Sequence, residues 1–132
     1  MRIRFEFDPG NKILLTRPEG ELTDESLVEV YQAIRRYSTA TDASMGIMDL
    51  SSVTKFAVSS VMIRRLASQE PAMPDATRRP RIVVVPNTVG FGLSRMYQIL
   101  AEPTRSQLKV VHTLDEAFAT LGIQSPHFEP LE

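Results

Sequence analysis

Four β-branched residues in succession, Ile82 to Val85, are followed directly by Pro86. A run with no polar face is typical of a strand that is buried on both sides of a sheet, and proline, which has no amide proton, ends it. Such a strand requires helices on both faces of its sheet. This segment therefore predicts that the chain folds as an α/β protein.

The other apolar residues repeat with the two-residue period of strands or the 3.6-residue period of helices. The predicted strands comprise residues 2–8, 12–17, 45–50, 82–85 and 108–112. The predicted helices comprise residues 24–38, about 57–68, a segment around 93–100 that Pro103 ends, and 113–122. The polar turn at residues 9–11 indicates an antiparallel hairpin, and we expect loops at 18–22 and in the proline-rich segment 70–80.

The resulting order is β-β-α-β-α-β-α-β-α. Strands that alternate with helices after an opening hairpin predict a mostly parallel mixed sheet with an antiparallel edge hairpin and covering helices. Residues 1–122 are expected to form this single domain, and residues 123–132 to form a loose C-terminal tail.

The composition of the chain excludes several kinds of functional site and partner. Cysteine is absent, so disulfides, thiolate metal sites and cysteine nucleophiles are excluded. With 15 basic and 16 acidic residues the net charge is −1, and no overall field attracts nucleic acid or an anionic membrane. Neither a signal peptide nor a membrane span is visible in the sequence, so we expect a cytoplasmic protein.

The order of elements and the pentapeptide Asp49-Leu50-Ser51-Ser52-Val53 resemble the STAS domain family of anti-sigma-factor antagonists, whose strand-end motif is Asp-Leu-Ser-x-Val. The resemblance implies a non-enzymatic regulatory module that binds a protein partner, such as a kinase or an anti-sigma regulator. It implies a contact surface that includes Asp49, Ser51, Val53, Ser60 and Arg64. No cofactor is expected.

The family's phosphorylated serine corresponds, without gaps, to Ser59. The aspartate, first serine and glycine of its Asp-Ser-Ser-Gly motif are replaced here by Ala57, Val58 and Ser60. The second half of the chain is similar to the uncharacterised SpoIIAA-like branch, which shares its shape with CRAL-TRIO lipid carriers and generally lacks the phosphoswitch. Ser59 is thus a candidate phosphorylation site, and the alternative is a serine that only caps a helix.

Two further signals point to anions or acidic partners. Gly90 and Gly92 lie between a buried strand and a helix, where free backbone amides and Arg95 could hold an anion; alternatively the glycines give a flexible start to the helix. Three arginine pairs, at 35–36, 64–65 and 78–79, could form a patch for an acidic partner, or could serve only as solvated charges near helix ends.

Methionine and aromatic side chains suggest an alternative function. A pocket for a small apolar or lipid-like ligand could lie between the second and third helices, lined by Met62, Phe91 and Met96 together with Met45, Met48, Met73, Phe56 and Tyr97. The same residues at helical spacing also suit an ordinary core. A carrier is therefore the alternative to the regulatory module, and a homodimer through the edge hairpin stays open.

Residues with chemical reactivity are few. His112 and His127 have no second ligand at a recognisable spacing, so no metal site is expected. Asp49 could act as a general base at a strand end, but its commoner role is to accept amide hydrogen bonds from the following loop. The sequence shows no catalytic apparatus, and we expect no enzymatic activity.

Overall fold

A computed structural model describes residues 1–69, 80–102 and 107–131. Within these ranges the chain forms one mixed sheet and four helices. The strands are β1 (Arg2–Asp8), β2 (Ile13–Thr23), β3 (Met45–Asp49), β4 (Val53–Ala57), β5 (Arg81–Val84), β6 (Leu108–Val111) and β7 (Glu129–Leu131). The helices are α1 (Asp24–Thr41), α2 (Ser60–Ser68), α3 (Thr88–Ala101) and α4 (Leu114–Leu121).

The sheet has the order β6-β5-β3-β2-β1-β7, and β4 also pairs with β2. Strands β3, β4, β5 and β6 run parallel to β2 or to each other, while β1 is antiparallel to both of its neighbours. The α/β class, the antiparallel hairpin and the largely parallel sheet are therefore confirmed. The predicted order is wrong in two places, because β4 and β7 were not predicted.

Strand β2 is longer than its sequence suggests. The predicted loop at 18–22 is wrong: Pro18 is buried opposite Ile3, and the strand continues to Thr23. Gly20 takes a φ of 93° where the register of β2 with β4 shifts. Proline and glycine here mark a bulge inside a strand. Because the same residues are typical of turns, the local sequence favours a loop.

Strand β2 has two successive neighbours on one edge. Residues Ile13 to Thr16 pair with β3, and residues Gly20 to Thr23 pair with β4. The second helix, predicted to begin near Ala57, begins at Ser60 because residues 53–57 form β4. Only Val53 in β4 is fully buried, so the strand has no clear two-residue period by which it could be recognised.

Helices cover both faces of the sheet, and β5 shows how. Its Val83 packs with side chains of α1 and α3, including Leu27 and Tyr97. Its Ile82 and Val84 pack on the opposite face with α4, through Ala117. The prediction that this strand is buried on both faces is confirmed.

The expected loose tail after residue 122 is partly ordered. Residues 129–131 form β7 along the edge of β1, and Phe128 packs against the core on the α4 face. The backbone amide of His127 donates a hydrogen bond to Asp8 Oδ2 at 3.1 Å. The segment was misjudged because its partner strand lies at the opposite end of the chain, where no local pattern can indicate it.

Candidate functional site

Three helices begin at the same edge of the sheet. Strands β2, β4 and β5 share one direction, and their carboxyl ends lead into α1, α2 and α3. The side chains of Thr23, Ser59 and Asn87 cap these helices by accepting backbone amide hydrogen bonds. We call this region the carboxyl edge. It combines exposed helix starts with the candidate phosphorylation site.

Ser59 joins two of these helix starts. Its Oγ accepts a hydrogen bond from the Met62 amide at 3.1 Å, as expected of a capping serine. Its amide and its Oγ also donate to the two carboxylate oxygens of Asp24, each at 2.8 Å. We call this contact the Ser59–Asp24 clamp. Because Ser59 is exposed, its hydroxyl is open to solvent and sensitive to any added charge.

The carboxylate of Asp49 is engaged in contacts within the fold. It is 3 % exposed, and its Oδ1 accepts the Ser51 amide at 3.0 Å, which confirms the expected role as an acceptor for the following loop. Its Oδ2 lies 3.5 Å from Nε of Arg17, which lies in turn 3.4 Å from a carboxylate oxygen of Glu6. The carboxylate therefore connects β1, β2 and the end of β3.

Asp49 and Ser59 do not form one site. The register of β2 with β3 places the end of β3 beside Arg17, whereas Ser59 lies beside Asp24 at the far end of β2. Since a strand rises about 3.3 Å per residue, these positions are on the order of 20 Å apart. A loop and helix directly after β3 would place both residues together at the rim of the sheet, but β4, which was not predicted, carries the chain away from Asp49.

The other residues of the expected contact surface divide into two groups. Ser51, Ser60 and Arg64 are exposed, whereas Val53 is buried in the core. The sequence did not single out Val61 and Val89, which are 63 % and 62 % exposed and lie in the first turns of α2 and α3. These exposed valines at the starts of α2 and α3 make the carboxyl edge partly apolar.

An apolar cavity of about 90 Å³ lies between the three helices and the sheet. A second cavity of about 70 Å³ adjoins it, since Tyr31, Met48, Val83 and Tyr97 line both. The remaining lining of the larger cavity is Leu22, Leu27, Val30, Leu50, Phe56, Val58, Ile63, Leu66, Gly90, Leu93 and Ser94.

Of the residues proposed for a ligand pocket, Met48, Phe56 and Tyr97 line the larger cavity, whereas Met62, Phe91 and Met96 line neither cavity. Met62 is buried and lines a groove between α1 and α2, and Phe91 stacks on the His112 ring at a centroid distance of 4.2 Å. Met96 is half-buried in α3 and lines neither cavity. Met73 lies outside the described residues. The cavity beneath the helices therefore includes three of the expected residues, and most of its lining is aliphatic side chains that were not proposed.

The structure does not leave the Gly90 amide free to hold an anion. Helix α3 begins at Thr88, so both glycines lie inside it, and the Gly90 amide donates to Oδ1 of Asn87 at 3.0 Å. A Cβ at Gly90 would lie 2.5 Å from the ring of Phe56, so glycine allows this close contact. Arg95 donates to Gln98 on the same helix.

One arginine from each of two predicted pairs reaches a common surface. Arg35 and Arg65 line the groove between α1 and α2, whose volume is about 470 Å³. Arg36 lies over the ring of Tyr37 at 5.2 Å, and Arg64 is exposed. The pair at 78–79 lies outside the described residues. Only one arginine of each of these two pairs therefore lines the groove.

The described residues contain no group of three or more His, Asp or Glu side chains arranged to bind a metal ion. Across residues 1–69, 80–102 and 107–131, no helix has the length and apolar character of a membrane span. Sequence comparison with protein-family models finds no match, and comparison with curated proteins finds no similar sequence.

Proposed function

We propose that the protein is a STAS-like regulatory module that acts without catalysis by binding a protein partner at the carboxyl edge, in the manner of an anti-sigma-factor antagonist. One observation carries the proposal: the exposed Ser59 hydroxyl caps α2 and at the same time holds the carboxylate of Asp24 at the start of α1. A modification of this hydroxyl changes two helix starts at once.

The clamp responds to charge. A phosphate on Ser59 adds about −1.5 to −2 charges at neutral pH. It would stand against the carboxylate of Asp24, which now lies 2.8 Å from Oγ. The start of α2 favours the phosphate through its dipole, but the adjacent carboxylate repels it. We expect phosphorylation to break the clamp and separate the starts of α1 and α2.

The surroundings of Ser59 suit a protein partner. Val61, two residues into the chain after Ser59, exposes 63 % of its surface, and Val89 in α3 exposes 62 %. Apolar side chains that become buried in an interface supply much of the binding energy, and a polar rim supplies orientation. The Ser59 hydroxyl and the Asp24 carboxylate of the clamp provide such a rim.

The test compares capture of partners from native lysate by the wild-type chain, Ser59→Asp and Ser60→Asp. Ser60 is the matched control, because it is an exposed neighbour of Ser59 at the same helix start. A partner should bind the wild type and Ser60→Asp but not Ser59→Asp. Intact mass spectrometry of protein from its own cells should show one phosphate at Ser59. Equal capture by all three proteins, or no specific partner, would contradict the proposal.

A carrier of a small apolar ligand is the second candidate, and the adjoining cavities beneath α1 and α3 favour it. Native mass spectrometry after gentle purification distinguishes the candidates. A carrier retains an additional non-protein mass that denaturation releases, whereas an interaction module shows the mass of the chain alone.

A further inference from the structure

Helices α1 and α2, which are joined at their starts by the clamp, form an open groove. Its walls are one stripe of each helix at the spacing i, i+3, i+4 and i+7. These residues are Val28, Tyr31, Gln32 and Arg35 in α1, Met62, Arg65 and Leu66 in α2, and Gln69 at the C-cap of α2. We call this surface the α1–α2 groove. At about 470 Å³ it has the volume of a typical ligand pocket.

The groove is lined by apolar and charged side chains, and the charged side chains are both positive. Half-buried Val28 and Tyr31 supply apolar surface, and Met62 and Leu66 are buried at the base of the groove. The charged side chains that line it are Arg35 and Arg65, both exposed. Among the described residues no carboxylate forms an ion pair with either arginine, while four other basic side chains do pair with acids. Within residues 1–69, 80–102 and 107–131, these two cations thus stand beside an apolar surface without a paired carboxylate.

The groove also has a direction. Both helices begin at the carboxyl edge, so the end near the clamp carries Asp24, and Arg35 lies toward the other end of α1. From Val28 to Arg35 the helix rises by roughly 10 Å, which equals about two helical turns of a bound segment. An occupant that complements this pattern has apolar residues over Met62 and Leu66 and carboxylates at its end nearest the arginines.

We propose that the α1–α2 groove binds a short acidic amphipathic segment of the partner protein, with its carboxylates on Arg35 and Arg65. The proposal rests on the proposed regulatory function and adds the chemistry of the partner. Arginine suits carboxylates because its planar donors meet both oxygens. Helices that lay an apolar face into a groove are a common mode of peptide recognition. A nucleic acid fits less well, since two cations neutralise few phosphates and the net charge is −1.

The test uses a phage library of random 12-residue peptides selected on the wild-type chain. We expect the enriched peptides to contain Asp or Glu together with apolar residues at helical spacing. The best peptide is then titrated by calorimetry into two double variants, Arg35→Ala with Arg65→Ala and Arg36→Ala with Arg64→Ala. The second is the matched control, because it removes the same charge from the same helices outside the groove.

Loss of the groove arginines should weaken binding about tenfold or more, as expected for charge-assisted contacts, and the control should change it less than about twofold. Enriched peptides without acidic residues, or equal losses in both double variants, would overturn the proposal. Displacement of the peptide by inorganic phosphate or a short DNA duplex would also overturn it, by showing a general anion site.

The two proposals fail separately. One outcome is a native partner that fails to bind Ser59→Asp and still binds the double variant Arg35→Ala with Arg65→Ala. In that case the groove is not its docking site, and the regulatory function stands. If the acidic peptides bind the groove but no native partner responds to Ser59→Asp, the groove stands and the switch fails.

Discussion

Asp8 shows how one buried carboxylate joins distant parts of the chain. It accepts hydrogen bonds from the amides of Gly10 and Asn11, from the side chain of Asn11, and from the amide of His127. Burial alone raises the pKa of Asp8, but these hydrogen bonds, with the Asn11 side chain first, lower the pKa below its usual value of 3.8. The carboxylate holds the β1–β2 turn and the segment that leads to β7.

This environment predicts an acid-sensitive stability. Above about pH 5 Asp8 is ionised in both the folded and unfolded chain, and its hydrogen bonds contribute fully. As the pH falls below that value, the unfolded chain binds the proton first, so the free energy of unfolding decreases until the folded carboxyl is also protonated. We expect Asp8→Asn to lower the free energy of unfolding at pH 7 by about 1–3 kcal/mol and to weaken its decline between pH 4 and 2.

Urea unfolding at pH 7 and at several acidic values measures both effects. Asp42→Asn is the control, because the Asp42 side chain is 85 % exposed. Asparagine also tolerates the left-handed backbone that Asp42 adopts at the end of α1. An identical pH dependence for Asp8→Asn and the wild type would contradict the prediction.

The two glycines of α3 predict opposite results for the same substitution. Nothing lies within 4 Å of a Cβ placed on Gly92, so Gly92→Ala should stabilise the protein by about 0.5–1 kcal/mol through helix propensity. A Cβ on Gly90 would clash with the Phe56 ring. Gly90→Ala should therefore destabilise the protein by a net amount of about 1–2 kcal/mol, even though it gains the same helix propensity. Thermal unfolding measures both. Recovery of stability when Phe56→Leu is added to Gly90→Ala would confirm the steric cause.

At the scale of elements, the Ser59–Asp24 clamp should couple the two helices energetically. Ser59→Ala alone should lower the free energy of unfolding by about 1 kcal/mol through loss of the cap. Combined with Asp24→Ala, the effects should fall short of additivity by roughly 0.5–1.5 kcal/mol, because each single change already breaks the clamp. Urea unfolding of the four proteins gives the coupling. Thr113→Ala, which removes the cap of α4 on the opposite face, should be additive with Asp24→Ala.

Elements with a strong period of their own were predictable. Strand β5 and the caps of α1 and α4 follow from residues within a few positions of each other. Strand β7 and the second half of β2 did not follow, since each depends on a partner distant in the chain. Local signals at Pro18 and Gly20 favour a loop, and pairing with β1 and β4 overrides them.

The candidate site was predictable only in part for the same reason. The capping role of Ser59 follows from its place before an apolar helix, but its bond to Asp24 requires α1 and α2 to begin side by side. Likewise three arginine pairs are visible in the sequence, and only the topology shows that Arg35 and Arg65 face one groove. Tertiary arrangement, and not residue type, selects the members of such a site.

At the scale of the whole molecule, the two halves of β2 differ in the number of strands that pair with them. Leu14 to Thr16 have hydrogen-bonded neighbours on both sides, in β1 and β3, whereas Glu21 to Thr23 pair with β4 alone. A two-stranded ribbon has little stability without packing against other elements. Amide hydrogen exchange should therefore be slowest at Leu14 to Thr16, which open with global unfolding, and faster at Glu21 to Thr23. Deuterium exchange followed by NMR measures this gradient, and uniform protection along β2 would contradict it.

Fraying of this ribbon would free the starts of α1 and α2, which Asp24 and Ser59 now join, while the middle of the sheet stays intact. A sub-global fluctuation of this kind costs less free energy than complete unfolding. A kinase that needs the Ser59 hydroxyl in an extended peptide could reach it during such an excursion. The division of β2 between two partners would then set how often the serine is accessible.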